Sequence, residues 1–335
     1  MTNNFKLTVS AAALALLVSG GAASVQAADV VAEPGCTLSG SVMAGYMFDW
    51  QDTNFDFGDF NQQSFDDKDG NVDWQTPFGE GAGLVTCGGF NVQADVAYYA
   101  HSADLDNEDV NLDQTNTHIG GAVFYRDPAS WAGGVSASWI SQYIISKDVD
   151  VFRVGLFGEF YFDDMFTLGA SAHYYNNDGF EVKDEDGFEL AAWGRFYATP
   201  DLSLMLRGDL LFAQTDVDFG GPFESSGNNI DGWAITGEAE YLVWDQGLSI
   251  FAGARYAERS YEIDNTPFFG PPIDLDVDVD DFQVFAGLKF YFGQDGTLVE
   301  RQRTGTIDNT SVWNEKLPNL FTSSEAGLID AEGGI

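Results

Sequence analysis

The chain has 335 residues, 53 of them acidic and 14 basic, for a net charge of −39, a balance that excludes nucleic acid as a partner because the phosphate backbone would repel it. No run approaches the eighteen or so consecutive apolar residues of a membrane helix. Aromatic residues make up 15% of the chain and glycine numbers 38, a composition that suits an exported β-protein or an outer-membrane barrel.

The N-terminus reads as a secretory leader. Lys6 supplies the positive start, residues 8–18 a short apolar stretch, and Val25-Gln26-Ala27 a small-x-small cleavage pattern. This places the signal peptide at residues 1–27 and a short periplasmic segment at 28–35. Cys36 follows Glu33-Pro34-Gly35, which is not a lipoprotein context.

From there to residue 292, about twelve segments alternate with a period of two, the signature of strands with one apolar and one polar face. They fall at 37–50, 79–87, 90–102, 117–126, 131–145, 151–162, 166–175, 188–198, 202–213, 233–243, 248–259 and 282–292. In the sixth, Phe152, Val154, Leu156 and Phe160 oppose Arg153 and Glu159. In the ninth, Leu204, Leu206 and Leu210 oppose Arg207 and Asp209. The connections alternate in length. One set is tight, as in Cys87-Gly88-Gly89, Asp163-Asp164 and Asp245-Gln246-Gly247. The other is mostly long and polar, as in 51–78, 103–116, 176–187, 215–231 and 260–281. Short turns at one end and long loops at the other are expected of a barrel inserted from the periplasm, and closure is required because lipid cannot satisfy an open sheet edge.

The last segment, Phe282 to Phe292, puts Val284, Ala286, Leu288 and Phe290 on one face and carries aromatic residues at both ends. It resembles the closing strand of bacterial outer-membrane β-barrels. The resemblance implies an all-β, antiparallel up-and-down transmembrane barrel over residues 36–292, porin-like, in the outer membrane of a Gram-negative bacterium. It also implies contact with lipid and lipopolysaccharide and insertion by the barrel assembly machinery. Residues 293–335 depart from that pattern. Their weak periodicity reads as a loosely ordered periplasmic extension; the alternative is a segment that enters the barrel or touches peptidoglycan.

The inward phase carries Arg153, Glu159, Glu189, Arg195, Arg207, Asp209, Glu238, Glu240, Arg255 and Lys289. Counting back from the Asp245-Gln246-Gly247 turn sets Glu238 about opposite Arg255. Rings of charge tune which ions pass a pore, while neutralising pairs would fill a narrow, sealed lumen. The acidic run Asp274, Asp276, Asp278 and Asp280 could hold Ca²⁺ or Mg²⁺, although no stretch has EF-hand spacing and a solvated negative rim is the other reading. His101 and His118 fall on the inward phase, as does His173, and folding about the 103–116 loop brings the first two roughly opposite one another. They could hold a transition metal or line a wet rim. No histidine points outward, as a lipid-face Ser–His enzyme would need, so no catalytic residue is assigned and no cofactor is required.

Cys36 precedes the first strand and Cys87 ends the second. Export and antiparallel adjacency together predict a disulfide between them. The sequence thus points to a passive channel for ions and small polar solutes, with cation preference from its acidic mouth. The alternative is a non-conducting structural or surface-interaction barrel whose acidic loops bind divalent cations, lipopolysaccharide or a partner. Oligomeric state is left open.

Overall fold

A computed structural model describes residues 35–56, 70–104, 111–144, 147–178, 182–218, 224–265 and 273–318. The leader with its cleavage site, the loop tips and residues 319–335 lie outside the described residues. Twelve antiparallel strands close into one barrel in simple sequence order. They are β1 (Cys36–Asp56), β2 (Gly70–Cys87), β3 (Phe90–Asp104), β4 (Asn111–Asp127), β5 (Trp131–Ile144) and β6 (Lys147–Phe162). The second half comprises β7 (Phe166–Asp178), β8 (Val182–Thr199), β9 (Leu202–Asp218), β10 (Glu224–Trp244), β11 (Leu248–Asn265) and β12 (Ile273–Phe292).

The outward phase is an apolar belt. Leu156, Leu168, Leu206, Ile235 and Leu288 are exposed on it, and aromatics such as Trp50, Phe160, Trp233 and Phe282 are spread along it. Leaving this much large apolar surface uncovered is unfavourable in water and favourable in lipid. The barrel closes where β1 meets β12, in register from Gly40 opposite Phe292 to Asp56 opposite Asp276. Trp50 and Phe282 stack across that seam with ring centroids 5.8 Å apart.

Cys36 lies opposite Cys87 in the β1–β2 register and the two form a disulfide, with α-carbons 4.2 Å apart. The bridge staples the first hairpin at the turn end of the barrel, closing a separation of 51 residues.

The strands run 13 to 21 residues, beyond the 9–11 needed to cross a bilayer. They therefore extend past the membrane at the loop end, into stretches that the sequence reading assigned to loops. The clearest case is Ile273–Asp281. It forms the start of β12, with Val277 and Val279 buried inward and Asp276 and Asp278 outward. An alternating Asp/Val run is itself a period-two pattern; its high charge disguised it as loop.

The largest departure is the chain after β12. Residues 293–318 do not extend into the periplasm but enter the barrel. At Gly293 (φ 69°) the chain leaves the wall, and a Cβ there would collide with the backbone of Leu38 and Ser39. Thr297 then caps the short helix α1 (Leu298–Thr304) in a capping box with Glu300. An extended stretch follows, ending in a π-helical turn over Val312–Lys316 whose first amides are capped by the Ser311 hydroxyl.

Candidate functional site

The candidate site is the lumen, and the C-terminal segment occupies it from the turn end upward. Helix α1 closes the turn end. Arg301 is fully buried and donates to the carbonyls of Gln294, Gly296 and Asp245. Arg303 donates to the Phe166 carbonyl and lies over the Tyr161 and Tyr197 rings. Arg126 of β4 reaches the Gly305 carbonyl at 2.6 Å. These guanidiniums satisfy carbonyls of the turns and of the helix end that would otherwise be buried without donors.

Above α1 the segment pairs with strands on all sides. Gln93 exchanges two hydrogen bonds with the Ile307 backbone, at 2.8 and 2.9 Å. Arg153 donates to the Asn309 carbonyl at 2.8 Å and to Glu189 Oε2 at 2.6 Å. The other Glu189 oxygen accepts from Ser311 at 2.5 Å and Asn314 at 2.7 Å. Gln142, Gln283 and Arg259 donate to the carbonyls of Asn314, Lys316 and Pro318.

Glu315 is the deepest anchor. Its carboxylate meets His118 Nδ1 at 2.5 Å, while His118 Nε2 meets Asp95 Oδ2 at 2.6 Å. Its carbonyl accepts from Asn116 at 3.0 Å and lies 3.2 Å from His101 Nε2. Toward the loop end the contacts turn apolar. Val312, Trp313 and Leu317 pack into one buried cluster with Ile140, Val149, Val151, Leu211, Ile230, Val277 and Val279. An apolar cluster built from β5–β7 and β9–β12 thus packs against the segment in the outer half of the lumen, which sequence reasoning missed. Tail residues with no period gave no sign that the inward Val and Ile residues were their partners.

The ten inward charges are distributed as follows. Arg153–Glu189 and Arg207–Asp209 are close pairs, at 2.6 and 2.7 Å. Glu159 accepts from Tyr161 at 2.9 Å. Arg255 does not face Glu238. The register sets Thr236 opposite Arg255 and Gly253 opposite Glu238; a bulge between Leu242 and Trp244 next to the turn accounts for one residue of that two-residue offset. Arg255 instead donates to Thr236 at 3.0 Å and Gln283 at 2.6 Å, and Glu238 lies 3.9 Å from Arg195. Glu240 accepts from Ser249, Tyr291 and Gln302 and stands 4.0 Å from Lys289.

The histidines are not paired and not wet. The register places His101 opposite Gln114 and His118 opposite Ala97, since the strands extend further into the 103–116 connection than expected. All three histidines are buried: His101 bonds Thr76 at 2.9 Å, and His173 bonds Ser136 at 2.9 Å and Arg153 at 2.8 Å. Among the described residues no cluster of three or more His, Cys, Asp or Glu could hold a metal ion. Asp276, Asp278 and Asp280 lie along β12, and Asp280 accepts from Tyr256. The Asp274 side chain lies outside the described residues.

Between α1 and the apolar cluster lies a cavity of about 170 Å³, walled by charges of both signs that include Arg195, Glu238, Glu240 and Lys289.

A closed antiparallel barrel with an apolar exterior and a charge-lined interior defines the class: this is a membrane-spanning β-barrel. No family model and no curated protein matches the chain. Among solved structures, it is similar to an outer membrane channel from Pseudomonas putida F1 (8% identity, 76% of this chain and 96% of that one, TM-score 0.48). Others are the TodX monoaromatic hydrocarbon channel deltaS2 mutant (9%, 77% and 90%, TM-score 0.38) and the KdgM porin (9%, 72% and 98%, TM-score 0.34).

Proposed function

We propose that this barrel is a channel for ions and small polar solutes, cation-preferring, whose resting state is closed by its own C-terminal segment. The observation that carries the reading is the ionised cavity between α1 and the apolar cluster around Val312, Trp313 and Leu317. A barrel that served only as a membrane scaffold would be expected to fill its lumen with well-packed side chains, since buried charges are costly. Cation preference is supported by the net charge of −39, which raises the local cation concentration at the mouth.

Planar-bilayer recording tests it. The full chain is expected to show rare openings, and a chain ending at Phe292 a steady conductance. Reversal potentials in a KCl gradient are expected to indicate cation preference that fades as salt screens the charges. Anion preference would overturn the selectivity. The buried apolar cluster around Val312, Trp313 and Leu317 favours a second reading, a non-conducting structural barrel. Silence of the full chain at every voltage, with conduction only after truncation, would establish that one instead.

A further inference from the structure

The cavity is not charged at random. Arg195 Nη2 stands 3.9 Å from Glu238 Oε1, and Lys289 Nζ stands 4.0 Å from Glu240 Oε2. Both separations exceed hydrogen-bond length. Arg195 Nη2 donates instead to the Met205 sulfur at 3.3 Å, a weak acceptor. Glu240 is already satisfied by Ser249, Tyr291 and Gln302. Glu238, by contrast, accepts no hydrogen bond from any described residue, and Lys289 Nζ donates none to one. Lys289 Nζ lies over the Tyr291 ring, 4.9 Å from its centroid. Two cations and one carboxylate therefore border the same space with hydrogen-bonding capacity unused.

That space continues into a second cavity of about 60 Å³, with Glu238 and Phe251 lining both. The second cavity is lined by Met43, Met47, Phe78, Phe251 and Phe285, whose side chains belong to one apolar cluster, and also by the charged residues Glu80, Arg207, Glu238, Arg255, Asp308 and Lys316. The larger cavity, at about 170 Å³, is far above the roughly 10–15 Å³ that a single water requires, which leaves room for a small organic solute.

We propose that the two cavities form a binding site for a small zwitterion with an apolar side chain, of the class of the aliphatic and aromatic α-amino acids. The solute carboxylate sits against Arg195 and Lys289, the ammonium against Glu238, and the side chain among Met43, Phe251 and Phe285. A simple anion would leave Glu238 unpaired and a simple cation would leave the two bases unpaired. This names a solute for the channel reading and rests on it for its place in the conduction path.

The test is calorimetric titration of the full chain in detergent micelles with L-phenylalanine, phenethylamine, 3-phenylpropanoate and glycine. Saturable binding of L-phenylalanine is expected. The three analogues lack the carboxylate, the ammonium and the apolar side chain respectively, and each is expected to bind about tenfold more weakly or worse, the first two because a charged partner goes unmet and glycine because apolar burial is lost. Glu238→Gln and Arg195→Gln, shown to be folded by heat-modifiable migration, are expected to lose as much. No saturable binding, or equal binding of the four ligands, overturns the site without recourse to the variants. Conductance on the same sample separates the two readings. Conduction without binding removes the site and leaves the channel, and binding without conduction does the reverse.

Discussion

Glu315 of the luminal segment meets His118 of β4 at 2.5 Å, and the far side of the same imidazole meets Asp95 of β3 at 2.6 Å. Glu315 and His118 are both fully buried, so wall and segment are joined by a dry hydrogen-bonded chain. Removing one member of a buried charged network costs about 3–5 kcal/mol, because the others lose their partner. Glu315→Ala is expected to loosen residues 306–318 while the barrel persists. Hydrogen exchange is the measurement: faster exchange confined to that segment is the expected outcome, and equal acceleration in the wall strands would contradict it.

Trp313 fills the apolar cluster in the loop half of the lumen, although its indole nitrogen finds no acceptor there. Trp313→Ala should cost about 3–5 kcal/mol, the usual range for truncating a large buried aromatic. That cost falls on docking of the segment and not on closure of the barrel. Bilayer recordings should show longer openings than for the full native chain, with no fall in the temperature at which heat-modifiable migration is lost.

Asp308 joins the segment to its surroundings by charge. Withdrawal from bulk water pushes its carboxyl up, but Lys316, Arg207 and two hydrogen bonds from Thr310 outweigh this and hold it well below the usual carboxylate range. A depressed folded-state value means that the contribution is fully present above the unfolded value, about 3.9 for Asp, and is lost as pH falls toward the folded one. The Asp308 contribution to exchange protection of residues 306–318 should therefore be constant from about pH 5 to 8 and fall in stronger acid. Asp308→Asn should remove that acid step.

Leu206 is 58% exposed on the outer surface and its neighbour Met205 faces the cavity. Leu206→Arg should cost about 2–4 kcal/mol of insertion free energy near the bilayer midplane. Met205→Gln should leave insertion unchanged. Folding yield in lipid vesicles distinguishes them, and equal yields would mean that β9 does not present Leu206 to lipid.

Much of the architecture was legible in the residues alone. Leu204, Leu206 and Leu210 against Arg207 and Asp209 define both faces of β9 without reference to anything else, because lipid on one side and a polar lumen on the other impose a strict period of two. Alternating short and long connections supplied the direction of the strands. With neighbouring strands known, the Cys36–Cys87 bridge followed from adjacency. Even Ile273–Asp281 was readable as a strand, had alternation been weighed above charge.

What the lumen contains was decided only by the tertiary structure. Leu298, Val312, Trp313 and Leu317 share no period, because their apolar partners come from several strands, β5–β7 and β9–β12, and not from one neighbouring strand. That Glu238 lies near Arg195 instead of Arg255, and that His118 bonds Glu315 instead of His101, depends on the strand register and on contacts nearly 200 residues apart in the chain. Local patterning determines which way a side chain points; only closure of the barrel around the C-terminal segment determines what it meets.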